Sequence, residues 1–221
     1  MAAVCMLPQQ VRPSEQPSIR FLSASNVAGA LNPFRLASGL QELSVATTPK
    51  QQEPTIEITD GWLCFYSFGQ SIANLRKMFG CDPKCPPCFQ GSIWDWWLQP
   101  KEASWVRERG APGYKLLSLS GVCGYTSWPE QTLRIKHPLK RAQERLLCEA
   151  FFASWIMNRW SQETTEFSWP WSRYFRHWGE SLTSGGERVW VALSYDGIEI
   201  GSTDCNTRTD PYLQAAVYQD L

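Results

Sequence analysis

The stretch Cys81-Asp82-Pro83-Lys84-Cys85-Pro86-Pro87-Cys88 is the segment around which we expect the fold to be arranged. Its cysteines have a CxxxCxxC spacing, and a tight turn of this kind lets successive thiolates converge on one metal ion. The prolines stiffen the turn and reduce the entropy that is lost when it closes. We therefore predict a metal-stabilised clip at this point of the chain.

A structural zinc ion takes four ligands, so three cysteines leave the predicted site incomplete. Candidates for the fourth ligand are Cys64, Cys123 and His137, of which we favour Cys123. The predicted zinc site consists of four thiolates, with an iron–sulfur cluster ranked second: Cys81, Cys85, Cys88 and Cys123.

The same segment contains a CxxC pair, Cys85 and Cys88, which is the spacing of thiol redox proteins. No thioredoxin-like βαβ pattern surrounds the pair, and Pro87 is poorly suited to a strand-to-helix junction. A CxxC redox protein therefore stays an alternative to the metal clip.

Hydrophobic periodicity on both sides of the cysteines predicts the secondary structure. Residues 62–68 alternate with apolar side chains on both faces, which is typical of a central strand. Ser71 caps a short helix that reaches Phe79. Further on we expect a strand over Thr132–His137, a helix from Pro138 to about Gln162, and a hairpin turning at Asp196-Gly197.

This order of elements predicts an α+β domain over residues 54–221. We expect an antiparallel, partly closed β-sheet of the small-barrel or OB-like type, with one long amphipathic helix and a Cys/Trp-rich insertion at residues 81–113. Residues 1–53 are predicted to be irregular or flexible. As an alternative, residues 19–22 would form a short strand followed by a docked helix.

Eight cysteines without a convincing secretory signal favour a reduced, intracellular protein. No apolar run approaches the roughly 18 residues that a membrane span needs, so we expect no membrane partner. The expected location is cytoplasmic, although the Ser-containing, acid-poor N-terminal segment also resembles an organelle transit peptide.

Charge is unevenly distributed although the net charge is zero. Lys101–Arg176 contains 12 Lys or Arg against 7 Glu and no Asp, and many of these cations lie beside aromatic residues. Cations that follow a phosphate backbone, together with rings that stack on bases, are typical of single-strand nucleic-acid binding. The residues predicted to bind nucleic acid are Arg134, Lys136, Lys140, Arg141, Arg173, Arg176 and Trp171.

The 12 tryptophans also support a different class of function. A Trp-rich loop containing exposed Trp94 and Trp97 would form a docking surface for a protein partner. No arrangement of His, Asp, Glu or Gly predicts a catalytic site, so we expect a binding protein before an enzyme.

Overall fold

The computed structural model describes residues 21–45, 54, 62–81, 88–90, 96–118, 126–161, 176–194, 197–207 and 213–221. These residues form a mixed α+β fold with two mixed sheets and five α-helices. The helices are α1 (Ala24–Ala37), α2 (Ile72–Phe79), α3 (Ala103–Arg107), α4 (Trp128–Arg134) and α5 (Glu144–Ser161). The strands are β1 (Phe21–Leu22), β2 (Trp62–Ser67), β3 (Gly113–Ser118), β4 (Lys140–Arg141), β5 (Arg176–Leu182), β6 (Arg188–Ser194), β7 (Gly197–Thr203), β8 (Leu213–Ala215) and β9 (Val217–Asp220).

The first sheet has the strand order β1-β2-β3-β9-β4 and the second has the order β7-β6-β5-β8. Each sheet contains one parallel pair, β1 with β2 and β5 with β8, beside antiparallel neighbours. The last two strands connect the sheets, because β8 and β9 are separated only by Ala216. The α+β class is confirmed, whereas the antiparallel OB-like sheet is not, and the described residues form no closed barrel.

Several local predictions are confirmed. β2 lies between β1 and β3 and is buried from Leu63 to Ser67, as its two apolar faces predict. The hydroxyl of Ser71 accepts a hydrogen bond from the amide of Asn74 and so caps α2. β6 and β7 pair in the register that ends at Ser194 opposite Gly197.

The long amphipathic helix is not confirmed. α5 begins six residues after Pro138, because residues 137–138 form a turn and Lys140–Arg141 pair with β9 instead. All residues from Leu146 to Ser154 are buried, so this part of α5 has no solvent face. A helix that is covered on every side belongs in the core, and α5 packs against α1, α2, β2, β5 and β6.

Two other segments differ from their predicted secondary structure. The strand expected over Thr132–His137 overlaps the end of α4. This helix forms because Ser127 and Glu130 make a capping box at its start and Pro129 lies in its first turn. The acidic, polar residues from Ser202 to Leu221 predict at most one short helix, around Tyr212–Tyr218, but the final segment forms β8 and β9. Backbone pairing with β5 and β3 outweighs the local preference there.

The N-terminal segment is not irregular throughout. β1 pairs with β2, and α1 buries Val27 and Leu31 in the main core. The ring of Phe34 lies 4.9 Å from that of Phe79. For residues 21–37 the alternative of a short strand and a docked helix is therefore the one observed.

Three buried glutamates link elements that are distant in sequence. Each carboxylate accepts hydrogen bonds from a serine hydroxyl and from backbone amides of another element, which satisfies polar groups that burial removes from water. Glu144 binds the amide and hydroxyl of Ser181 in β5 at 2.8 and 2.9 Å. Glu149 binds the Ser67 hydroxyl and the Phe68 amide, both at 2.7 Å, and Glu102 binds Ser184.

The second sheet is covered on both faces. Val189, Val191 and Ile198 belong to the main core beneath α5. Trp178, Trp190 and Leu213 form a smaller cluster on the other face, with Trp128 of α4 packed against it. None of the described helices combines the length and the apolar content needed to cross a membrane.

We expect Gly179→Ala to destabilise the protein by at least about 2 kcal/mol. A Cβ atom at Gly179 would lie 1.8 Å from Oε1 of Glu144 and would displace this buried carboxylate. The control is Gly185→Ala, whose Cβ would meet nothing closer than Thr183 Oγ1 at 3.6 Å. Urea denaturation measures both, and equal stabilities of the two variants would contradict the role given to Glu144.

Burial lowers the pKa of His177 from 6.5 to about 4. The imidazole of His177 therefore binds a proton more readily in the unfolded chain than in the folded protein. The stability that depends on neutral His177 is complete above pH 6.5 and is lost as the pH falls towards 4. Between pH 6.5 and pH 4 we expect the free energy of unfolding of the wild-type protein to fall by up to about 3 kcal/mol more than that of the His177→Gln variant. Parallel pH profiles of the two proteins in urea denaturation would rule this out.

Candidate functional site

A polar cleft of about 230 Å³ lies where the first sheet meets the start of α5. Its charged side chains come from separate elements: Lys115 from β3, Lys140 from β4, Arg145 from α5 and Asp220 from β9. Tyr218 lies on its wall with both lysine ammonium groups 5.9 Å from the centre of its ring. The cleft therefore combines three cations with one half-buried aromatic ring.

Asp220 holds the two lysines of the cleft together. One carboxylate oxygen accepts a hydrogen bond from Lys115, and the other lies 2.7 Å from Nζ of Lys140. Burial opposes ionisation of this carboxyl, but the hydrogen bonds from both lysines hold its pKa below the ordinary value. The side chain of Lys115 is only 9% exposed, whereas that of Lys140 is 57% exposed. Lys115 therefore lies deep in the cleft and Lys140 at its mouth.

The third cation, Arg145, is held at the opposite wall. Its guanidinium contacts Glu108 at 3.0 Å and the side-chain oxygen of Gln143. Beside it, the amide of Gly110 donates to the carbonyl of Gly69 at 3.2 Å. A Cβ atom on Gly69 would lie 2.1 Å from the Gly110 oxygen, so this close backbone contact requires glycine.

Glu149 lies in the floor of the cleft, but its oxygens are turned into the protein. They accept hydrogen bonds from Ser67 and from the amides of Phe68 and Gln70. Burial raises the pKa of this carboxyl, and the hydrogen bonds from Ser67 and the backbone amides oppose that shift. The buried Arg35 of α1 contributes an opposite charge. The hydrogen bonds of Glu149 are thus made to the protein interior, and not to the cations of the cleft.

The predicted nucleic-acid residues are divided between surface and interior. Arg134, the last residue of α4, is exposed, and so is Lys136 on the connection that leads from α4 to Lys140 in the cleft. Arg176 is exposed with its guanidinium 4.8 Å from the ring centre of Trp190. Trp171 and Arg173 lie outside the described residues.

Arg141 belongs to the predicted nucleic-acid-binding set, but the structure places it in the interior, where it is only 4% exposed. Its guanidinium lies 4.5 Å from the ring centre of Trp128 and donates to Oγ1 of Thr132 at 2.7 Å. Burial lowers its pKa to about 10. A second guanidinium, that of Arg188, lies 4.0 Å from the same ring centre. Arg141 therefore fastens α4 to β4 at the edge of the first sheet and is not part of the exposed basic surface.

Two of the four predicted zinc ligands can be placed. Cys81 is half-buried and Cys88 is buried. The residues beside them are joined by a 3.0 Å hydrogen bond from the Phe89 amide to the Gly80 carbonyl. Cys85 and Cys123 lie outside the described residues. In the part of the chain that is described, no three His, Cys, Asp or Glu side chains are grouped to hold a metal ion. Burial raises the pKa of Cys64, an alternative fourth ligand, to about 11.

The Trp-rich insertion packs inward where it is described. Trp97 is 2% exposed and its ring lies 5.5 Å from that of Phe89, while Trp105 is 6% exposed. Trp94 lies outside the described residues. The exposed tryptophan patch expected at Trp97 for a protein-docking loop is therefore absent at that residue.

Comparisons with known proteins provide no family for this chain. No family model, no curated protein and no solved structure matches it. The cleft must therefore be interpreted from its own geometry.

Sequence reasoning missed much of the cleft. Lys115 and Asp220 are 105 positions apart and meet only because β3 and β9 pair with these two residues opposite each other. The single charged residue of β3, Lys115, is a weak signal, since its position in a strand does not identify the residue on the neighbouring strand.

Proposed function

We propose that this protein binds single-stranded nucleic acid along a basic surface that runs from the α4–β4 connection into the cleft. The observation that carries the proposal is the position of Lys115 and Lys140 beside the ring of Tyr218, in a cleft that Arg145 also lines. Lysine and arginine neutralise backbone phosphates, and an aromatic ring offers a base a surface for stacking.

The position of the other exposed cations supports the same function. Arg134 and Lys136 precede Lys140 on an exposed connection, so a strand that enters the cleft would pass beside them. Arg176 is also exposed and lies over Trp190. Asp220 is the acid that pairs with Lys140, and one carboxylate shared by two lysines leaves an excess of positive charge at that point.

We also propose that zinc stabilises the cysteine segment through Cys81, Cys85, Cys88 and Cys123. The support is the hydrogen bond between Phe89 and Gly80, which brings the two ends of this segment together. A bound ion would hold Cys81 and Cys88 together beside the second sheet, where the backbone of residues 88–90 pairs with Ile198.

We expect a fluorescent oligothymidylate to bind with an affinity that falls as salt rises, by about 0.7 in log K per log salt for each phosphate contact. Lys140→Ala and Lys136→Ala should each weaken binding roughly threefold to tenfold at low salt, because each loses one contact. The control Lys101→Ala removes an exposed lysine that does not line the cleft. Fluorescence anisotropy measures these affinities; salt-independent binding, or equal effects of all three variants, would refute the proposal.

Elemental analysis of the purified protein should find about one zinc ion per chain, because four thiolates complete one tetrahedral site. We expect Cys85→Ser to remove most of this metal. Cys205→Ser is the control, since Cys205 is half-buried in the turn after β7 and is not a predicted ligand. A metal-free wild-type protein, or full zinc content in Cys85→Ser, would be incompatible with the proposed site.

A further inference from the structure

We propose that the cleft is a pocket for a terminal phosphate monoester, with Asp220 occupying the phosphate position when no ligand is bound. The chemical class is a dianionic phosphate carried on a sugar, either at the end of a nucleic-acid strand or on a free mononucleotide. The inference rests on the proposed nucleic-acid binding for the first of these two sources.

The shape of the cleft favours the end of a strand over its middle. The lining residues Ser67, Leu146 and Glu149 are buried and form a floor, while Lys140 and Ala111 are exposed at the mouth. A volume of about 230 Å³ lies below the roughly 300–1,000 Å³ of pockets for drug-sized ligands. An internal phosphodiester needs space for a sugar on both sides of the phosphate, whereas a monoester needs space for only one sugar. The cleft therefore has room for a phosphate group with part of one nucleoside.

The cations are arranged for a group with more than one negative charge. Lys115 and Lys140 converge on the two oxygens of a single carboxylate, a position that would bring both ammonium groups to two oxygens of a phosphate. Arg145 lines the same cleft, and its partner Glu108 is 52% exposed, so a phosphate would compete with Glu108 for the planar guanidinium. Because a phosphate monoester carries a charge of about −1.5 to −2 at pH 7, it attracts these cations more strongly than one carboxylate does.

Asp220 is suited to leave this position. Its side chain is 43% exposed, so water can solvate the carboxylate once a ligand displaces it. Lys115, at 9% side-chain exposure, has much less access to water and gains most from an anion that replaces Asp220. The carboxylate therefore acts as an internal competitor for the phosphate.

The test compares 3′-labelled decathymidylates that carry a 5′-phosphate or a 5′-hydroxyl, together with a 5′-labelled pair that differs at the 3′ end. We expect a terminal phosphate at one of these ends to strengthen binding about tenfold or more, and Lys115→Met to abolish this difference. If Lys115→Met does not fold, which thermal unfolding shows, the exposed Lys140→Gln takes its place.

Asp220→Asn separates a competing carboxylate from a merely structural one. If Asp220 competes, this variant should bind the phosphorylated probe several-fold more tightly and the hydroxyl probe little more tightly. If Asp220 only supports the fold, binding should weaken or stay unchanged, which overturns the competitor role. Asp204→Asn is the matched control, because it removes the same charge from an exposed turn and does not line the cleft.

Competition by deoxythymidine 5′-monophosphate identifies the source of the phosphate. Displacement of the oligonucleotide by this mononucleotide supports the pocket and shows that a free nucleotide suffices. Equal binding of phosphorylated and hydroxyl probes refutes the pocket and leaves the proposed function standing. Mononucleotide binding measured by calorimetry without any oligonucleotide binding keeps the pocket and refutes the proposed function, and no binding of either probe refutes both.

Discussion

The fold depends on a helix that is held by a buried carboxylate at each of two points. Glu144 binds the backbone and hydroxyl of Ser181 in the second sheet, and Glu149 binds the end of β2 in the first sheet. A buried carboxylate is costly unless hydrogen bonds satisfy its oxygens, so each glutamate tolerates only one arrangement of its partners. The two contacts therefore fix α5 relative to both sheets at once.

The position of the cleft is a consequence of this arrangement. Glu149 places the first turns of α5 against the end of β2, which brings Arg145 to the side of the first sheet where β3, β9 and β4 pair. Ala216 switches the chain from β8 to β9 and so delivers Tyr218 and Asp220 to the same place. The contacts that stabilise the core thus also assemble the cations to which we assign ligand binding.

Basic residues beside aromatic rings have two different roles in this molecule. Arg141 of β4 and Arg188 of β6 lie over Trp128, and Arg141 is buried there, so these contacts hold α4 against one strand of each sheet. Lys115 and Lys140 lie beside Tyr218 in a cleft that opens to solvent. Composition counts both pairings alike, and only solvent access separates a structural cation–π contact from a binding surface.

The sequence alone determined the elements whose signals are local: the central strand β2, the capped helix α2 and the β6–β7 hairpin. Their signals are hydrophobic periodicity, a capping serine and a turn, and each of these acts within a few residues. It also identified Lys140 as a candidate binding residue. Only the tertiary structure decided that Arg141 is buried, that α5 has a covered stretch in place of an amphipathic face, and that Lys115 meets Asp220. Lys115 and Asp220 are 105 positions apart, and the burial of Arg141 and of α5 depends on packing between separate elements, which no local pattern encodes.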